Sequence, residues 1–320
     1  MNPSLPHRPW WRDDVTLAWR TDSSVVVGDG VRRVQVGDVH HELIRWLLSL
    51  QGQWTLDEAL EQAEARGLGR AQPRRLLRSI AGTGGLDDAS VAAPLWREAG
   101  KDLRDRLAVE RSAVRHAYGQ AQRADDVMAH RLGARVAIAG SGPVAEAVGA
   151  ILTASGVGSI VSAQPLRSTS LKGRRGARHI DCQILCELPH AESTVDTESL
   201  ALDVPHLPIS VHGAQASVGP LVLPGRTGCL RCRDLHRADA DRHWSRVAVQ
   251  LSHGPRTVAP AALVQAAAAW GVLHVLTLID VGPADVTSGG IEWTLTMPHA
   301  DVHSMTRPHH PLCGCRWWAA

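Results

Sequence analysis

Between residues 15 and 38 the chain reads VTLAWRTDSSVVVGDGVRRVQVGD, with apolar and polar positions largely alternating. A period of two marks short, half-buried strands, and the pattern predicts three of them: Val15 to Arg20, Ser24 to Gly28 and Val31 to Val36. Asp29-Gly30 supplies a hairpin turn between the last two, because both central positions of such a turn favour positive φ. From His40 the spacing changes to that of a helix. VHHELIRWLLSL places Leu43, Trp46, Leu47 and Leu50 on one face, TLDEALEQAEARG opens on the cap-like Thr55 and closes at Gly67, and QPRRLLRSIAG makes a third amphipathic segment. Three strands followed by three helices predict a small α+β domain over residues 1–88.

Glycines and small residues in GTGGLDDASVAAP mark a boundary near 82–94. An arginine-rich helical stretch then runs from about Leu95 to Leu132, within a segment 89–132 that reads as a connector or packing arm. Beyond it the pattern changes class. ARVAIAGSGPVAEAVGAILTASGVGSIVSA predicts a strand (Arg135 to Ala139), a glycine turn, a helix (Val144 to Ser155) and a second strand (Ser159 to Ser162). This β-α-β unit opens a doubly wound parallel sheet, so residues 133–320 are assigned to an α/β domain. HIDCQILCEL and LPISVHG read as later strands, VAPAALVQAAAAWGVLHVLTLI as a core helix interrupted by Gly271, and the end as two strands and a cysteine-bearing tail.

Composition narrows the function classes. The formal net charge is +2, from 34 basic and 32 acidic residues, too balanced to single out a polyanion as partner. Eleven tryptophans, one tyrosine and no phenylalanine must supply the aromatic bulk. No apolar run is expected to reach the roughly 20 residues of a membrane span, and the start MNPSLPHRPWWRDD lacks a signal-peptide core. A cytoplasmic protein with reduced cysteines is the expectation.

The cysteines carry the clearest chemistry. Cys229 and Cys232 have the spacing of a metal knuckle, in which two thiolates three positions apart chelate one ion. Cys313-Gly-Cys315 offers the other half of a closed zinc site, with Arg226, Arg231, Arg233 and Arg316 beside the ligands in sequence to offset the charge of four thiolates. The Cys-x-Cys half leaves room for His309 or His310 to replace a thiol. A redox Cys-x-x-Cys and unligated thiols are the alternatives; the redox reading is disfavoured by a Pro/Gly loop setting. Cys182 and Cys186 lie four apart in an apolar strand and read as buried core thiols.

The glycine turn GSGPVA invites a nucleotide, since glycines let backbone N–H groups approach phosphate at a helix N-terminus. Gly140 and Gly142 are present, but Pro143 removes one donor and Ala145 stands where G-x-G-x-x-G needs its last glycine. The next strand ends IVSAQP, with no acidic residue near Ser162 to hold a ribose. The turn supports the fold more than it supports ATP. There is no G-x-S-x-G elbow and no H-E-x-x-H. Three strands and three helices also describe a winged helix, and the basic QPRRLLRSIAG could enter DNA; the near-neutral charge favours a solvated or peptide-facing helix.

Together, GSGPVAEAVGAILTASGVGSI and PGRTGCLRCRDLHRADADRHWSRVAVQL resemble the ThiF/MoeB (ubiquitin-activating-like) superfamily. The closer similarity is to its ThiF-like branch from azole-forming (TOMM) pathways of ribosomal peptide natural products, called cyclodehydratase partner or leader-peptide-binding proteins. It covers about residues 10–318. The resemblance implies that residues 1–88 form a winged-helix-like clamp, the RiPP recognition element, to which a precursor's leader adds as a strand. The receiving edge would be Val31, Arg32, Arg33, Val34, Gln35 and Val36. The groove would be closed by Arg74, Arg75 and Arg78, meeting acidic leader residues, with Leu77 as apolar floor.

Catalytic relatives adenylate a carboxyl terminus, using a ribose Asp and a magnesium Asp. Here Ser162, Ala163 and Gln164 stand at the first, and ILCELPH at the second, where Glu187 is the available substitute. Arg167, Lys172, Arg174 and Arg175 supply charge without the surrounding motif. The resemblance thus implies a scaffold with structural zinc, held by Cys229, Cys232, Cys313 and Cys315, that does not use ATP and delivers peptide to a YcaO-type cyclodehydratase. It also implies dimerisation, with Trp317 and Trp318 beside the zinc. The rivals are an active adenylyltransferase and a winged-helix regulator, which would bind DNA with steep salt dependence.

Overall fold

The computed structural model describes residues 5–12, 15–28, 33–81, 83, 85–90, 100–118, 121–163, 179–187, 192–252 and 259–315. It divides into two compact units, Met1–Ala129 and His130–Ala320.

In the first unit, strands β2 (Leu17–Thr21), β3 (Ser24–Gly28) and β4 (Arg33–Gly37) form an antiparallel sheet in the order β2-β3-β4. Helices α1 (His41–Leu48), α2 (Leu56–Ala65) and α3 (Ala71–Ala81) follow. Thr55 and Glu58 form a complete capping box on α2, each side chain accepting from the other's backbone N–H. Val25 and Val27 of β3 pack with Leu43, Trp46 and Leu47 of α1 and Leu76, Leu77 and Ile80 of α3, all essentially fully buried. Each contributes about 1.5–3 kcal/mol by its burial. Trp46 donates its indole N–H to the Ala59 carbonyl at 3.0 Å, so that no polar atom of the ring is stranded. The expected turn at Asp29-Gly30 lies outside the described residues.

The expected boundary near 82–94 instead contains a strand. β5 (Leu86–Asp88) pairs antiparallel with β1 (Pro9–Trp11), which the alternation analysis missed because each is only 3 residues long. The arginine-rich stretch is broken into α4 (Lys101–Arg106), α5 (Ala108–Tyr118) and α6 (Ala121–Gly133). Arg115 of α5 makes a buried ion pair with Asp87 of β5. Loss of water pushes both groups toward neutrality, Asp87 upward and Arg115 down to about 10.

The second unit is built on a seven-stranded mixed sheet in the order β12-β11-β10-β9-β8-β6-β7. β6 (Arg135–Gly140), β7 (Ser159–Ala163), β8 (Cys182–Cys186) and β9 (His206–His212) run parallel, with α7 (Pro143–Ala154) crossing between β6 and β7. β10 (Gln215–Val218), β11 (Ile291–Thr296) and β12 (Asp301–Thr306) extend it antiparallel. α8 (Glu192–Ala201), α9 (Leu230–Ala240), α10 (Trp244–Ser252) and α11 (Ala261–Val281) complete the unit.

α7 and α11 cover one face of the sheet with Val136, Ile138, Ile184, Leu207 and Ile209. Gly271 does not interrupt α11, which is continuous; a Cβ there would lie 2.4 Å from Ile209 Cδ1, so glycine is what lets helix and sheet meet. At 21 residues α11 is, contrary to expectation, long and apolar enough to cross a bilayer, because alanines extend its apolar run; half of its apolar window is buried within the unit. Cys182 and Cys186 lie in this core as expected, their thiols pushed up by burial.

Glu292 of β11 ties this end of the sheet to α9 and β12. It accepts from Arg307 Nε at 2.5 Å, Ser217 Oγ at 2.9 Å and Arg237 Nη2 at 3.4 Å. Burial pushes its carboxyl up, but Arg233, Arg307, Arg237 and the Ser217 hydroxyl together hold it below the ordinary value of 4.5. A depressed carboxyl stabilises the fold above its unfolded value, and that contribution is lost as pH falls through the folded one. Glu292→Gln is therefore expected to cost about 3 kcal/mol at pH 7 and to flatten the acid limb of stability below about pH 4.5. Denaturant unfolding across pH 3 to 7 (about 4 units, spanning the carboxylate range) checks it: parallel profiles for variant and wild type would refute the assignment.

Candidate functional site

The Cys-x-x-Cys does not lie in a loop, as its glycines and proline implied. Cys229 is the N-cap of α9 and Cys232 sits in its first turn, because LRCRDLHRADA continues as a helix once Cys229 provides an extended residue before it. Gly228 admits the tail: a Cβ there would fall 2.5 Å from the Arg307 carbonyl oxygen and 2.6 Å from that of Pro308. The tail thereby returns to the knuckle and brings Cys313 and Cys315 with it.

Sγ of Cys229 lies 3.8 Å from that of Cys232 and 3.5 Å from that of Cys313, and Cys232 lies 3.5 Å from Cys315. All four sulfurs fall within 4.8 Å of one another and all four residues are buried. A disulfide needs about 2.05 Å, so no pair is bonded. A tetrahedral ion with metal–sulfur bonds of about 2.3 Å needs sulfur edges of about 3.8 Å. The four thiols fit that geometry. Their protons are unevenly held: the hydrogen bond from Cys229 pulls Cys232 down to about 4, the same bond pushes Cys229 up, and burial pushes Cys315 up to about 12. A bound cation would displace the remaining protons.

Neither histidine replaces a thiol. His309 sets Nδ1 3.4 Å from Cys315 Sγ, where an N–H can donate to a thiolate. His310 turns to Asp239, with Nε2 2.8 Å from Oδ2. His236, Asp239 and His310 form a second close group, but His310 Nδ1 accepts the Leu312 N–H at 3.1 Å. A metal on Nε2 would then leave that ring without any proton, so the group acts as a hydrogen-bonded clasp between α9 and the tail. The neighbouring cations are engaged elsewhere: Arg226 donates to the Pro283 carbonyl and Arg233 pairs with Asp234.

The residue that sequence reasoning missed is Asp196 on α8. Its buried carboxylate accepts the Leu230 N–H at 3.1 Å and the Arg231 N–H at 3.2 Å, filling the N-terminus of α9 beside Cys229. His206 Nε2 reaches the same carboxylate at 2.8 Å, while Nδ1 faces the Val204 carbonyl at 3.1 Å. Burial raises the Asp196 carboxyl, but His206 and the two backbone donors outweigh it and hold the group below the carboxylate range. Nothing in ESTVDTESLA marks this role, since its partners are 10 and 34 residues away.

At the glycine turn, Gly140 has φ +113 and a Cβ would meet the Cys186 carbonyl oxygen at 2.0 Å. Its freedom is thus required by the approach of β6 to β8, with no ligand involved. Gly142 has φ +98 and caps α7 ahead of Pro143. Glu187, also at positive φ, brings a carboxylate oxygen to 3.5 Å from where a Gly142 Cβ would stand. Arg167, Lys172, Arg174 and Arg175 lie outside the described residues, as do Gln164, Arg316, Trp317 and Trp318.

In the first unit β4 is an edge of its sheet. Between it and α3 is a groove of about 140 Å³ lined by Gln35, Val36, Asp38, Leu43, Arg75 and Leu76, among others. Asp38, at φ +57, closes one end: its carboxylate pairs with Arg75 at 2.6 Å and its carbonyl accepts from Gln72 at 2.9 Å. Arg33, Val34, Gln35 and Val36 lie in β4; Val31 and Arg32 are outside the described residues. Arg74 and Arg78 are exposed, and Leu77 is buried in the core while Leu76 takes the groove position. Gln72 and Ser79 line the groove too; helical spacing from Leu76 would have found them.

No known protein-family profile matches the chain, and no curated protein matches it. Solved structures do. The heterocyclase TruD superposes with a TM-score of 0.64 at 15% identity, over 97% of this chain but only 43% of its own. MccB of E. coli, solved with succinimide, gives 0.63 at 16%, over 97% of this chain and 99% of its own. MccB with AMPCPP and MccA gives 0.61 at 16%, over 96% and 99%. The chain thus spans less than half of the heterocyclase and nearly all of MccB. At 15–16% identity these likenesses show that the chain shares its fold with both neighbours.

Cys229→Ser is expected to lower metal content to below one tenth of wild type, measured by elemental analysis after gel filtration, and to destabilise the second unit by about 3 kcal/mol or more. A metal-replete variant of unchanged stability would overturn the four-thiol assignment.

Proposed function

We propose that the chain binds the leader of a ribosomally made precursor peptide and presents it to a separate YcaO-type ATP-dependent cyclodehydratase for azoline formation. The observation that carries this reading is the edge strand β4 lying beside the groove under α3. An extended peptide can add to such an edge through main-chain hydrogen bonds, while one or two side chains enter the groove and provide selectivity. On this reading residues 1–88 are a winged-helix-like clamp, with β4 as receiving strand, the exposed Arg74 and Arg78 available to acidic leader residues, and Arg75 reaching them by exchanging its pairing with Asp38. Delivery requires no catalytic residue here: a short flexible tether raises the local concentration of the core peptide at the partner to about millimolar. The four thiols hold Zn²⁺ as a structural ion.

A second reading, an adenylyltransferase acting on a peptide or carrier-protein terminus, is favoured by one observation: the MccB structure solved with AMPCPP matches this chain along nearly its whole length. Against it stands the chemistry of the loop. Pro143 removes a backbone donor, and Glu187 sets a negative group beside Gly142 where a phosphate would approach. A magnesium ion held by Glu187 would reverse that repulsion.

Calorimetry of the purified protein separates the two. A leader peptide of an azole-forming precursor is expected to bind with a Kd of about 1 μM or better (~8 kcal/mol), and MgATP to give no signal. Gln35→Pro, which removes a main-chain donor facing away from β3 in an edge strand that tolerates proline, is expected to weaken the peptide at least tenfold (about 1.4 kcal/mol), whereas Arg45→Ala on the exposed side of α1 leaves it unchanged. MgATP binding with pyrophosphate exchange would establish the adenylyltransferase instead.

A further inference from the structure

The buried Asp196 and His206 pair serves no part of the proposed peptide delivery, yet it touches the first turn of α9, the turn that carries both knuckle cysteines. Four orphan N–H groups open any helix. In α9 two of them, those of Leu230 and Arg231, are directed at one carboxylate that belongs to another helix 34 and 35 residues earlier. Asp196 is itself fixed: His206 holds Oδ1 at 2.8 Å, and the His206 ring is oriented through Nδ1 by the Val204 carbonyl at 3.1 Å. Asp196 and His206 are as buried as the hydrophobic core, at 1% and 0% exposure. Leu200, on the same helix as Asp196, packs into the cluster that contains all four thiols.

We propose that Asp196, oriented by His206, is the positioning residue of the metal centre. It fixes the backbone between Cys229 and Cys232, so that both sulfurs face one point before an ion arrives. This inference rests on the metal reading of the four thiols. The carboxylate acts through the amides of Leu230 and Arg231, the two residues that follow the Cys229 ligand. Outer partners of this kind typically change metal affinity by about 10–100-fold. Asparagine at the same position has nearly the same shape, but its NH₂ would face either His206 or a backbone donor.

The test is cobalt affinity of the full chain, read from the sulfur-to-cobalt absorption band in competition with a chelator. Asp196→Asn is expected to weaken cobalt binding at least tenfold and to speed chelator-driven release. Val148→Ala, in the apolar core under α7 that contains none of the four thiols, serves as control and is expected to leave cobalt affinity within about twofold despite its loss of stability. Where Asp196→Asn does not fold, His206→Gln provides the second reading, with a smaller loss in the same direction. Wild-type affinity in the folded variant, or the same loss in Val148→Ala, overturns the positioning role and leaves the metal reading intact. Absence of any cobalt band in the wild type removes both.

Discussion

The meeting of four sulfur atoms in one buried cluster organises the second unit. Cys229 and Cys313 are 84 residues apart, and the segment between them holds α9, α10, α11 and both strands of the β11–β12 hairpin. One side of the sheet is covered by a conventional apolar core with α7 and α11. On the other side a smaller cluster contains Ala139, Leu185 and Val222 from the sheet together with Leu230 and all four thiols. A patch that small gains little from apolar burial alone. Shared ligation of one ion would supply what it lacks, and loop closure over so long a span is where such a clip stabilises most.

The charges around α9 follow from the same need. The helix carries arginines on several faces, and each buried one has its acid: Arg233 with Asp234, Arg237 with Asp234 and Glu292, while Arg307 from the end of β12 returns to Glu292. At the opposite end the helix meets Asp196. The segment that looked in sequence like an arginine-rich loop is therefore a helix whose polar side chains are used internally. Among the described residues, the first unit by contrast presents a strand edge beside a groove.

Much of this was legible in the sequence. The β-α-β unit, β3 and α2 with its Thr55 cap stand where their periodicity put them, because each carries its signal within a dozen residues. The spacing within each cysteine pair marked the two halves of the four-thiol cluster for the same reason. What escaped was long-range or very short. The pairing of β1 with β5 joins three-residue strands 75 or more residues apart. Asp196 reaches α9 only through the tertiary fold, and Leu76 displaced Leu77 from the groove because neighbouring positions on a helix differ by about 100°. Gly271 was read as a break because sequence shows the absent side chain but not the Ile209 that fills its place.

The tail that Gly228 admits also sets an order in time. A ribosome adding roughly 5–20 residues per second makes Cys229 and Cys232 some 4–17 s, in round figures, before Cys313 and Cys315 exist. During synthesis the knuckle is thus a pair of thiols with half a coordination sphere, open to oxidants and to any soft metal in the cell. An ion held by all four sulfurs would accordingly be settled late, and the newborn chain is the stage at which metal starvation or oxidation would do its damage.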